Sequence, residues 1–93
     1  MTRKEIALMW AEGKLTENEV REEMAKTEHP VLRNYDPLNE SDSWWEGEEE
    51  NTSMSVGIAL INRYGKEKAE EFMEKFWVKA PIVKYDPNGN RVE

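Results

Sequence analysis

Thr2-Arg3-Lys4-Glu5-Ile6-Ala7-Leu8-Met9-Trp10-Ala11-Glu12-Gly13-Lys14-Leu15-Thr16-Glu17-Asn18-Glu19 decides how this 93-residue chain is read. Thr2 and Glu5 have the spacing of a capping box, in which a hydroxyl takes an orphan amide of the first helical turn and a carboxylate reaches back to the cap. Ile6, Met9, Trp10 and Gly13 follow at helical spacing. Gly13 is a natural stop, because it accepts the left-handed backbone that ends a helix. Thr16 and Glu19 form a second box, with Val20 and Met24 facing inward, and the His29-Pro30 step disfavours further helix. Residues 2–29 therefore read as an αα-hairpin. Its second helix has only a narrow apolar stripe, which places it at the periphery or leaves it to complete its burial in a homodimer.

The same grammar recurs downstream. Ile58-Ala59-Leu60, four residues and Gly65-Lys66 repeat Ile6-Ala7-Leu8, four residues and Gly13-Lys14 without a gap. Ala69, Phe72, Met73 and Phe76 form the clearest helical stripe, within a helix over 66–77 that Pro81 ends as Pro30 ends the first hairpin. Residues 81–87 then echo residues 30–37 with one residue deleted. The fold class expected is mainly α with minor β. Two αα-hairpin and short-strand units, pseudo-two-fold if they arose by duplication, are joined by an acidic loop. One domain covers 1–93: unit one 2–35, linker 36–53, unit two 54–85 and a C-terminal turn 86–93. Duplication and convergence on the same helix punctuation both produce this pattern. The two short strands either pair with each other or lie on the helices as arms. Trp10, Phe72, Phe76 and Trp77 are assigned to the core, with Met9, Met24 and Met73 filling gaps.

Hydrophobic residues make up 38% and charged residues 35%, so a thin core must be built from a few large side chains, four Trp among them. The absence of cysteine excludes disulfides, thiol catalysis and zinc–thiolate sites. No run is apolar enough to span a bilayer, and Met1-Thr2-Arg3-Lys4-Glu5 does not open a signal peptide. The sequons at Asn39 and Asn51 are then chance, and a reducing cytoplasm is the expected address, the host's if the protein is a phage product.

The net charge of −7 is concentrated centrally: residues 30–53 carry seven acidic side chains against Arg33 alone. The segment that includes Glu40, Asp42, Trp44, Trp45, Glu46, Glu48, Glu49 and Glu50 is the most distinctive stretch. Adjacent tryptophans cannot share one face of a regular element, and exposed Trp is characteristic of binding hot spots. One indole folds back as a lid on the core, or the pair meets a partner that the carboxylates steer toward it. The expected function is a protein-binding adaptor or inhibitor for a basic protein surface. In its sharper form it is a phage or mobile-element product that blocks a nucleic-acid-binding host protein by local DNA mimicry. The alternative is a self-associating structural protein, such as a virion component.

Other chemistries find little support. Glu17, Glu19, Glu22, Glu23 and Glu28 on the second helix would repel phosphate, which argues against direct nucleic-acid binding through a helix-turn-helix. The acid excess likewise disfavours an anionic membrane. His29, the single imidazole, stands where a helix end offers its last carbonyls. No nucleophile–base set can be assembled around it, so no enzyme activity and no catalytic residue is expected. Asp86-Pro87-Asn88-Gly89-Asn90 begins like a calcium loop but has Arg91 where that loop needs Gly, and Asn88-Gly89 reads as a turn. No metal and no cofactor are expected.

Overall fold

Threonines start three of the four helices. Thr2 caps α1 (Arg3–Ala11) by accepting from the Glu5 amide, and Thr52 caps α3 (Ser53–Tyr64) by accepting from the Ser55 amide. Thr16 caps α2 (Glu17–Lys26) with both halves of the box in place. The last helix, α4 (Lys66–Phe76), starts directly from Gly65. In this computed structural model, which describes residues 1–79 and 82–92, four short strands complete the fold: β1 (Val31–Arg33), β2 (Trp44–Glu46), β3 (Lys84–Tyr85) and β4 (Arg91–Val92). The protein is mainly α with minor β. Pro81, expected to end the second helical stretch, lies outside the described residues.

The two matching glycines make different corners. Gly13, at φ 81°, closes α1 as Lys14 donates to the Met9 carbonyl at 2.9 Å and Gly13 to the Trp10 carbonyl at 3.0 Å. This is the paired C-terminal motif that favours glycine, and five residues separate α1 from α2. Gly65 is alone between α3 and α4, at φ 93° and ψ 169°, a region essentially closed to residues with a side chain.

Ile6, Ala7, Val20, Met24, Val56, Leu60 and Phe72 are fully buried where the four helices meet, with Ala69 and Phe76 beside them. Trp10 packs on this cluster, its ring 5.4 Å from Phe72 and 5.5 Å from Phe76. Each large side chain so buried contributes about 1.5–3 kcal/mol relative to exposure. Met24 and Met73 join this packing, whereas Met9 is half-buried outside the cluster. The aligned positions are not equivalent in packing. Ile6 is buried while Ile58 is 52% exposed, and Leu60 is buried while Leu8 only flanks the core.

The strands form one mixed sheet in the order β2-β1-β3-β4, with β1 and β3 parallel and the two outer pairs antiparallel. The two short segments expected to resemble each other therefore pair. Leu32 donates to the Val83 carbonyl at 3.0 Å and Tyr35 to the Tyr85 carbonyl at 2.9 Å. The donors lie three positions apart in sequence but the acceptors two. Asn34, at φ 57°, absorbs the difference as a bulge, within the segment where the sequence match needs one deletion.

The acidic segment departs from expectation. Residues 36–53, read as a loop without regular structure, contain 3-10 turns at Glu40–Asp42 and Glu49–Asn51 and the strand β2. Three residues are too few to show a period, and β2 exists through pairing with β1 at Val31–Glu46, Leu32–Trp45 and Arg33–Trp44. Residues 86–90 form the expected turn. It joins β3 to β4, with the Asp86 carboxylate accepting from the Asn88 and Asn90 amides. No strand residue is buried, and the sheet extends from the helices in a body of 44 × 25 × 19 Å. Among the described residues no helix is long and apolar enough to cross a membrane.

Candidate functional site

Strand β2 sends its two indoles in opposite directions. Trp44 and Glu46 are exposed on one face, and Trp45, half-buried, turns to the other, as a period of two requires. Trp44 is 55% exposed. β2 is also an edge strand, so its outer backbone groups meet no further strand among the described residues. The tryptophans grouped in the sequence thus belong to two surfaces, an outer edge and an inner cavity.

The acids grouped with them divide as well. Glu46 pairs with Arg33, whose guanidinium also lies 4.7 Å above the Tyr85 ring. Glu50 accepts from the Thr2 hydroxyl at 3.1 Å and lies 3.8 Å from the Lys4 ammonium. Asp42 accepts from the Asn39 side chain, and Glu40 from the Tyr35 hydroxyl at 3.4 Å. Glu48 and Glu49 are exposed and form no ion pair among the described residues. The charges of Glu46 and Glu50 are thus countered locally, while Glu40, Asp42, Glu48 and Glu49 keep theirs open to solvent.

On its inner side Trp45 walls a cavity of about 220 Å³ between the sheet and the helices. Trp77, Met54, Val78, Ile82 and Pro30 supply the rest of its apolar surface. Its polar end is Arg3, His29, Asn51, Thr52 and Ser53. In a chain with twenty acidic residues, none of the residues lining it carries a carboxylate.

Arg3 is the unusual member. Its side chain is fully buried, yet its acceptors are neutral: the Thr27 hydroxyl at 2.8 Å, the Val78 carbonyl at 3.2 Å and His29 Nε2 at 2.8 Å. The Trp77 ring covers the guanidinium at 4.6 Å. Burial pushes the Arg3 pKa down from its ordinary value, but a guanidinium remains protonated in proteins. A buried charge ordinarily has an opposite charge beside it; among the described residues there is none here. Asn51 fixes the arrangement, accepting from the Arg3 amide at 2.7 Å and donating to the Glu28 carbonyl at 2.6 Å.

Because a guanidinium only donates, His29 Nε2 must accept, which sets the neutral imidazole with its proton on Nδ1. Burial first, and the Arg3 charge second, lower the His29 pKa. His29 was expected to meet the last helix carbonyls. The Met24 carbonyl is instead taken by the Thr27 amide and hydroxyl, at 3.3 and 2.7 Å. With Nε2 committed to Arg3, the ring offers no lone pair there to a substrate.

Two members of this cavity were read differently from the sequence. Trp77, assigned to the core, touches the core on one side and walls the cavity on the other. Arg3 was not singled out. One signal was present: a cation in the first turn of a helix opposes the helix dipole, so its position calls for another reason. Comparison with family models, curated proteins and solved structures finds no match to this chain.

Proposed function

We propose that the protein is a protein-binding module that presents the outer edge of β2 to a basic partner. The observation that carries this reading is Trp44, a large amphipathic side chain more than half exposed on an unpaired strand. An exposed strand edge is a template for an added strand, with main-chain hydrogen bonds giving affinity and an aromatic anchor giving specificity. Glu40, Asp42, Glu48 and Glu49 favour a partner with Lys or Arg beside its contact strand. An inhibitor of a nucleic-acid-binding protein, of phage or mobile-element origin, is the narrower form of this proposal. A long phosphate-like track suits the site less well, since Glu46 and Glu50 are already paired with Arg33 and Lys4. Pairing of the matching segments β1 and β3 also supports two like units, although the unlike environments of Ile6 and Ile58 weigh against the helical hairpins being close copies.

Affinity capture with wild type, Trp44→Ala and Glu48→Lys with Glu49→Lys tests the reading. The alanine variant should lose the captured partner with its thermal unfolding unchanged, and the lysine variant should weaken capture most at low salt. Retention of the same partner by Trp44→Ala contradicts the assignment.

Self-association is a second reading with an observation of its own. Met54, Ile58 and Ile61 lie at helical spacing on the outer side of α3 and are 73%, 52% and 49% exposed. Val56 and Leu60 are buried on the other side, so α3 is apolar nearly all round. Sedimentation at two concentrations separates the readings: a concentration-dependent oligomer that Ile58→Lys dissolves favours assembly, and a monomer at both favours the module.

A further inference from the structure

The cavity behind β2 is not used by the contact just proposed, and its composition is selective. Among the described residues its walls are two indoles and four other apolar side chains, and its polar end holds one full positive charge and no negative one. The N-terminus of α3 adds to that sign. Thr52 caps it, and Ser53 and Met54 both line the cavity. Among the described residues the amides of Ser53 and Met54 meet no protein acceptor, the Ser55 amide being held by Thr52. The first amides of a twelve-residue helix carry a partial positive charge. Thus a buried guanidinium without a counter-ion and a helix N-terminus converge on one apolar space in an otherwise acidic protein.

We propose that this cavity binds a small carboxylate with an apolar body, the indoles of Trp45 and Trp77 flanking the body and the Arg3 charge with the first turn of α3 holding the anionic end. The volume of about 220 Å³ lies below the roughly 300–1,000 Å³ of sites for drug-sized ligands, which limits the ligand to about one ring or one branched chain. Affinity comes from the walls and selectivity from the charge. Arg3 is already held by three acceptors, so the ligand completes the electrostatics of the site without having to replace those bonds. A neutral isostere keeps the apolar contacts and loses the ionic one. A cationic isostere meets an adverse field.

Titration of the full chain near neutral pH with phenylacetate, phenylacetamide and phenethylamine tests this, observed through the indole N–H resonances of the four tryptophans. Phenylacetate should move the Trp45 and Trp77 signals saturably while those of Trp10 and Trp44 stay. Phenylacetamide should bind about tenfold more weakly or worse, because it brings no charge to the field of Arg3 and the α3 amides. Phenethylamine should give no saturable change. Arg3→Met should reduce the preference for the acid over the amide to the part that the α3 amides supply. Because Arg3 lies among buried bonds, Met54→Trp is the second variant: Met54 is 73% exposed, so a larger ring narrows the cavity mouth without entering the core. It should weaken phenylacetate while leaving the unfolding temperature unchanged. Equal affinity for acid and amide, shifts that omit Trp45 and Trp77, or undiminished binding by a folded Met54→Trp variant would each overturn the proposal. The Trp44→Ala variant should bind phenylacetate normally, so failure here is distinguishable from failure of the partner contact.

Discussion

The helical body and the sheet are held together in opposite ways. In the body, nine apolar side chains of the described residues are buried, and Trp10, Phe72 and Phe76 interlock at ring separations near 5.5 Å. In the sheet no strand residue is buried, and the strands are two or three residues long. Short two-stranded pieces are marginal in water, and even a small sheet needs a hydrophobic face or a helix against it. The contrast teaches a division of labour. The body supplies the stability, and the sheet, with Pro30 and Trp45 at the cavity between them, supplies half-buried and exposed surface.

The strongest way to break that contrast is in the body. Phe72→Ala should cost about 3–5 kcal/mol, a large share of a small domain's stability, and unfold both regions together in chemical denaturation. Next comes the corner between α3 and α4. Gly65→Ala places a side chain at φ 93° and ψ 169° and should cost about 1–3 kcal/mol. Nothing lies within 4 Å of the added carbon, so the loss is backbone strain and not a clash.

Asn34→Val acts on the sheet instead. It forces a β-branched residue to hold φ 57° and should cost about 1–2 kcal/mol locally, releasing β1–β3 amides to exchange while helix amides keep their protection. Acid acts at the joint. The folded-state pKa of His29 is lowered by burial and by Arg3, so the unfolded chain binds the proton more tightly. The contribution of His29 is complete above the ordinary imidazole pKa of about 6.5 and is lost as pH falls from there through the folded value. His29→Gln, which keeps an acceptor for Arg3, should flatten the unfolding temperature between about pH 8 and pH 5 relative to wild type. The smallest effect on stability is expected from Trp44→Ala, within about 0.5 kcal/mol by thermal unfolding, although its effect on partner binding is expected to be complete.

The legibility of the chain follows the same division. The caps at Thr2 and Thr16, the stop at Gly13 and the turn at Asp86 were readable because each is satisfied by residues within five positions. The likeness of residues 30–37 and 81–87 pointed to two matching strands, and the structure pairs them. β2 was not readable: its hydrogen bonds go to β1, and nothing local marks Trp44, Trp45 and Glu46 as a strand. Which of the two indoles turns inward was not readable for the same reason, since only the strand's alternation separates them. Arg3 was the hardest case. Its burial depends on Thr27, His29, Trp77 and Val78, none of them within twenty residues in sequence.

Native-state hydrogen exchange of the full chain, followed amide by amide, tests this division most directly. The slowest amides should lie in α3 and α4 and exchange only through global unfolding, while the Leu32 and Tyr35 amides of the sheet exchange through local opening at markedly lower free energy. Equal protection of the Leu32 and Leu60 amides would contradict it, because the sheet would then be part of the same cooperative core.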